Sequence, residues 1–137
     1  MVLHVELVSP ERVAYSGEAK MVIARVANGD IAFQPGHVPF IGTLQTHPVR
    51  VVLEEGGEQV IAVHQGFVEV SRDRVTILSD VCELASDIDV RRAEAAKAAA
   101  EEVLREYPLD LEAQAALKRA LVRLEVAGAK PAASGAH

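Results

Sequence analysis

Five histidines (His4, His37, His47, His64 and His137) and one cysteine, Cys82, are the side chains from which a metal centre or an activated nucleophile would have to be assembled. No two of the histidines form an H-x-H or H-x-x-x-H pair, the spacing that brings two imidazoles on one element to one ion, so a metal site is not expected. His4 and His64 fall in or beside strand-like stretches, where a surface histidine or one facing a hydrogen-bond partner is the expectation. Cys82 has no catalytic context and reads as a small buried hydrophobe. The chain carries no G-x-S-x-G elbow. Glu54 and Glu55 are adjacent, so at a strand end they point to opposite faces and make no acid/base pair. Gly56-Gly57 is followed by Glu58 instead of the Lys-Ser/Thr that a phosphate-cradling loop requires. No catalysis by this chain is expected, and its chemistry must be that of binding.

Two stretches are suited to binding. Phe33-Gln34-Pro35-Gly36-His37-Val38-Pro39-Phe40 combines two prolines and a glycine, which fix the backbone, with aromatic and imidazole side chains; it reads as a docking loop or a rigid corner. Arg119 and Arg123 are spaced i,i+4 on one face of a helical segment. Arginine suits phosphate because its planar fork donates paired hydrogen bonds.

The elements that must position these residues change character near residue 84. Before it, short runs of β-branched residues alternate with Gly, Pro and Asn. His4–Val8 alternates, and Met21–Ala27 stops at Asn28-Gly29, a pair suited to positive φ that leaves Asp30 on a loop tip. Residues 49–53 with 59–63, and 67–70 with 75–78, read as successive hairpins. No crossover helix precedes residue 86, which excludes a doubly wound sheet. Beyond Leu84, Ala93, Ala95, Ala96, Ala98, Ala99 and Ala100 accompany Arg, Lys and Glu, and no Gly occurs until Gly128. Ser86 and Asp89 have capping-box spacing, Pro108 separates two helices, Asp110 can start the second, and Leu117, Leu121 and Leu124 form an apolar stripe. The predicted fold is α+β and mainly β: a sandwich or flattened barrel of about ten strands over residues 1–85, an antiparallel two-helix hairpin over 86–127, and a disordered tail over 128–137. Because alanine faces bury little area, the hairpin is expected to be a movable arm.

The 14 Lys and Arg against 20 Asp and Glu give a net charge of −6, which argues against nucleic-acid binding. A lone cysteine and an N-terminus without a signal-peptide pattern lead us to expect a reducing cytoplasm, and no run is long enough to span a bilayer. A free-standing metal-dependent sandwich enzyme and a generic adaptor with a helical arm are the competing classes at this point.

Pro35-Gly36-His37-Val38-Pro39, Gly66-Phe67-Val68-Glu69-Val70, Val75-Thr76-Ile77-Leu78 and Ile88-Asp89-Val90-Arg91-Arg92-Ala93, in that order and spacing, resemble the epsilon subunit of bacterial rotary (F-type) ATP synthases over most of the chain. The resemblance implies a non-catalytic rotor subunit of the proton-translocating complex, at the cytoplasmic face of the bacterial inner membrane and touching the membrane only through the c-ring. It implies a sandwich that joins the gamma subunit to the c-ring, with Asp30, His37, Val38 and Pro39 as partner contacts. The hairpin becomes a regulatory arm that lies folded or extends towards the alpha and beta subunits, where it inhibits hydrolysis. In the same resemblance Glu83, Ile88, Asp89, Arg92 and Ala93 match ATP contacts, and Arg119 and Arg123 supply two guanidiniums for the triphosphate. No cofactor is required, and ATP, with or without magnesium, is a regulatory ligand. Ala98-Ala99-Ala100 stand where ATP-binding relatives carry a further basic residue, so the alternative is a coupling subunit with no ATP binding.

Overall fold

The computed structural model describes residues 1–128. Ten strands come first: β1 Leu3–Val8, β2 Val13–Ala19, β3 Met21–Val26, β4 Gly29–Phe33, β5 His37–Leu44, β6 His47–Val52, β7 Glu58–Val63, β8 Gly66–Arg72, β9 Arg74–Leu78 and β10 Cys82–Leu84. A single 3-10 turn, Ala85–Asp87, leads to α1, Val90–Glu106, and α2, Leu111–Gly128. The strands form one continuous ladder, β10-β7-β6-β3-β5-β8-β9-β1-β2, with β4 branching from β3. The ladder folds over on itself as a sandwich because each strand turns alternate residues to one side. Leu3, Val5 and Leu7 of β1, Val68 and Val70 of β8, and Val75 and Ile77 of β9 all point inward and meet Phe33, Val22, Val51, Ile61 and Val63. All pairings are antiparallel except β1 with β9.

The structure corrects several local expectations. The stretch from Phe33 to Phe40 is not a loop: Phe33 ends β4, residues 34–36 turn, and His37, Val38 and Pro39 already belong to β5, with a bulge between His37 and Phe40. Pro39 fits there because a bulge leaves its missing N–H without a ladder partner. The buried Phe33 ring anchors this corner, edge-on to His37 at 5.1 Å. Ser86 does not cap α1. The chain needs the 3-10 turn to leave β10, which places Ser86 inside it; Asp87 accepts from Leu84 N–H, and Asp89 is the N-cap, accepting from Arg92 N–H at 3.1 Å. Asp110 does start α2, accepting from Ala113 N–H at 2.9 Å.

The leucine stripe of α2 is also displaced. Leu121 is exposed, Leu117 and Leu124 are half-buried, and Ala113, Ala120, Val122 and Val126 are buried. Helix α2 packs on α1 and on the sandwich at once, so its buried surface turns away from the axis that leucine spacing alone defines. Gly128 is the last residue of α2, and the rest of the proposed tail lies outside the described residues. Within α1 only Ala93 and Ala100 are buried, so the two helices are joined mainly through alanine.

Candidate functional site

The site grows from the pairing of β7 with β10. Ile61 and Val63 face the core, so Val60 and Ala62 face outward on β7, where Val122 and Val126 of α2 and the half-buried Ile88 cover them. This small second core is the apolar contact that holds the hairpin. Glu83 pairs with Ala62 across the ladder and therefore emerges on the same face, beneath α2. There its Oε1 accepts from Arg123 Nε at 2.8 Å and is 2.9 Å from His64 Nε2. An ionised carboxylate has no proton to give, so Nε2 carries the hydrogen and donates. Two exposed pairs reinforce the junction: Arg50 reaches from Glu58 to Glu125 of α2 at 3.3 Å, and Arg12 donates to Asp87 at 2.7 Å. Exposed pairs of this kind contribute roughly 0–1 kcal/mol each.

Burial alone would push the Glu83 carboxyl up, but the hydrogen bonds from His64 and Arg123, with the arginine's charge, outweigh it and hold the group below the ordinary carboxylate range. Release of the hairpin takes away the Arg123 hydrogen bond and charge and leaves His64 in place, so it is the arginine's part of the lowering that ties docking to the ionised Glu83. The sign follows: docking is fully supported above about pH 4.3, where a released Glu83 is also ionised, and is lost as pH falls through the lowered value. Amide exchange of α2 between pH 3 and 6 is expected to accelerate at the acid end relative to the sandwich strands, and Glu83→Gln is expected to flatten that dependence.

Of the residues expected to bind ATP, Glu83 and Arg123 touch each other and Ile88 packs in the apolar contact beside them. Asp89 spends one oxygen on the helix cap, Arg92 is exposed in the first turn of α1, and Ala93 is buried between the helices. Arg119 lies one turn before Arg123, pairs with Glu112 at 3.1 Å, and lines a cleft of about 1280 Å³ between α2 and one end of the sandwich. Lys118 lines the same cleft, with Val8, Thr43, His64, Phe67 and Leu78 on the sandwich side. Asp30 pairs with Arg25 at 2.6 Å, and that hydrogen bond holds its carboxyl below the ordinary range. By ladder register Asp30 lies at the Leu44 end of β5, whereas His37, Val38 and Pro39 lie at the other end, so the two expected contact regions are separated by the length of that strand.

The sequence did not single out His64, Arg50 or Arg12 as parts of the junction, because their partners lie between 8 and 75 positions away and no local spacing signals them. Cys82 is buried and burial pushes its thiol up, which disfavours the thiolate a nucleophile needs. Among the described residues no group of three or more His, Cys, Asp or Glu is placed to hold a metal ion.

Comparison with known proteins gives concordant matches. Residues 2–85 match the family model of the ATP synthase delta/epsilon chain β-sandwich domain, and residues 86–128 match that of its long α-helix domain. The chain is 48% identical over 134 residues to the ATP synthase epsilon chain of Thermobifida fusca, covering 96% of both. It is 50% identical over 108 residues to that of Brevibacillus brevis, covering 79% of this chain and 82% of the relative. Among solved structures, a chain of the Euglena gracilis mitochondrial ATP synthase OSCP/F1/c-ring assembly has the same fold, with a TM-score of 0.78 at 18% identity, over 92% of this chain and 81% of that one.

Proposed function

The chain belongs to the ATP synthase delta/epsilon family, as an epsilon chain, and from that premise we propose that it joins gamma to the c-ring in the central stalk and regulates hydrolysis through its hairpin. The observation that carries the coupling role is a row of side chains on the outer face of the sandwich. Thr43 of β5 pairs with Phe67 of β8, Phe67 with Leu78 of β9, Leu78 with Val8 of β1, and Val8 with Val13 of β2, so five neighbouring strands present one line. Phe67, Leu78 and Val13 in that line are 57%, 47% and 54% exposed. A contiguous exposed apolar line on a sandwich that already has a full core marks a surface for a protein partner. Assigning it to gamma, with the sandwich otherwise resting on the c-ring, follows the family. No helix among the described residues is long and apolar enough to cross a membrane; attachment through the c-ring at the cytoplasmic face follows the family.

Thr43, Phe67, Leu78 and Val8 of this row also lie in the sandwich wall of the cleft, and α2 forms the other wall. A subunit seated on the row therefore lies beside the hairpin and is placed to meet it as it leaves the sandwich towards alpha and beta. The regulatory reading rests on how little holds the arm: the four residues of the second core, Ile88 and three ion-paired links. ATP, bound through Arg119, Arg123 and the start of α1, favours the folded arm.

Phe67→Asp tests the coupling role. Phe67 contributes nothing to the core, so thermal unfolding of the isolated chain should stay within about 0.5 kcal/mol of native. Its affinity for the gamma–c-ring subcomplex should fall by ~100-fold, since a desolvated aromatic anchor contributes about 2 kcal/mol or more. Unchanged co-purification would remove this row from the interface.

A further inference from the structure

His64 is the most deeply placed of the polar side chains at the junction that neither the family resemblance nor the ATP reading uses. Its side chain is 4% exposed, against 20% for Glu83 and 29% for Arg123. Its backbone N–H is tied to Val81 O at 3.1 Å, and its Nδ1 is the buried side-chain atom without a hydrogen-bond partner among the described residues. A buried imidazole with one ring nitrogen unpaired is held for the other one. That other nitrogen, Nε2, meets the same Glu83 oxygen that Arg123 meets.

We propose that His64 is a positioning residue: its Nε2–H fixes the Glu83 carboxylate in the geometry that latches Arg123, so that the arm docks on the sandwich through a three-member chain anchored in the β7–β8 turn. Without the imidazole, Glu83 stands on a three-residue edge strand with Arg123 as the remaining donor to its carboxylate among the described residues. With it, one oxygen is held between two donors and the carboxylate points at α2. The charged and titratable groups facing this assembly are Glu83 from β10, Arg123 from α2, Asp80 from the β9–β10 turn, and Glu112, Lys118 and Arg119 from the α2 wall of the cleft. The chain of contacts also places an internal carboxylate on one of the two arginines proposed to receive a triphosphate, so ligand binding has to share or displace Glu83. The latch rests on the reading of the hairpin as an arm only for its consequence, because its existence is measurable in the isolated full chain without ATP or a partner.

The test is amide exchange of residues 120–126, read against β1 and β8 as internal controls. His64→Leu, which keeps bulk and removes the donor, is expected to accelerate exchange of the α2 amides about tenfold, the equivalent of ~1.4 kcal/mol. His64→Gln, whose amide nitrogen falls where Nε2 lies, is expected to restore protection to within about twofold, and His64→Asn, whose donor falls short, is not. In an Arg123→Gln background, where there is no guanidinium to latch, His64→Leu is expected to add nothing. Native protection in His64→Leu, equal loss in the Gln and Leu variants, or the same penalty in both Arg123 backgrounds would each overturn the proposal. The last two outcomes would mean that the ring serves only as packing. Because the Arg123 comparison is a difference between two variants, it remains decisive if His64→Leu also loosens the sandwich. ATP binding lost while the latch persists would instead sink the ligand reading alone.

Discussion

Gly66→Ala is expected to destabilise the sandwich by about 3 kcal/mol or more. Gly66 sits at φ +154°, and a Cβ there would lie 2.2 Å from the Leu78 carbonyl oxygen and 3.0 Å from Ser79 Cβ. The carbonyl cannot retreat cheaply. Leu78 is paired with Phe67 and Val8 in the ladder, Ser79 N–H donates to Val8 O, and Ser79 Oγ donates to the carbonyl of Gln65, itself at φ +64°. The turn that follows His64 is thus fixed by its neighbours on both sides, and a side chain must move backbone to fit. Gly29→Ala is the control, since Gly29 has φ +125° with nothing within 4 Å of an added Cβ, so it meets backbone strain without a clash and is expected to cost about 1 kcal/mol. Urea unfolding midpoints compare the two. Equal midpoints would mean that the turn is not fixed as described, and would weaken the case for His64 as an anchor.

The second large effect is functional. Charge reversal at Arg119 and Arg123 together is expected to abolish saturable ATP binding, a loss of at least about a hundredfold, because two charge-assisted contacts to phosphate are replaced by repulsion. The two positions differ in mechanism. Among the described residues Arg119 is paired only with the exposed Glu112, and it can turn to a ligand at little cost. Arg123 is engaged by Glu83, so Arg123→Glu both removes a phosphate contact and sets two carboxylates against each other across the junction. Arg119→Glu alone should therefore weaken ATP binding while the arm stays docked, and Arg123→Glu alone should weaken both. A ligand at a hundred times its Kd stabilises the folded arm by ~2.7 kcal/mol, enough to reverse a modest conformational bias.

The sandwich was legible in the sequence because period-two alternation and Gly-containing turns report directly on strands, and the alanine-rich segment reports as directly on helices. What was not legible depended on where the helices came to rest. The spacing of Leu117, Leu121 and Leu124 defines a stripe, but the sandwich recruits Val122 and Val126 instead, and no property of α2 alone shows that Val60 and Ala62 wait opposite. Asp89 was visible as a helix-start residue while its role as cap, and not as partner to Ser86, depended on a 3-10 turn that no local pattern announces. The Pro-Gly-His-Val-Pro stretch looked like a loop because prolines rarely sit inside strands, and a bulge is what admits one here. At the site, the arginine pair was readable from i,i+4 spacing. The meeting of Arg123 and His64 on one oxygen of Glu83 was not, since it is made by three elements that come together only in the folded chain.

The most direct test of the account is calorimetric titration of the full chain with ATP, with and without magnesium, against the Arg119/Arg123 charge-reversed variant. The account predicts saturable one-to-one binding that the variant loses. No binding up to millimolar ATP, or binding unchanged in the variant, would contradict it and leave a coupling subunit whose arm answers to another signal.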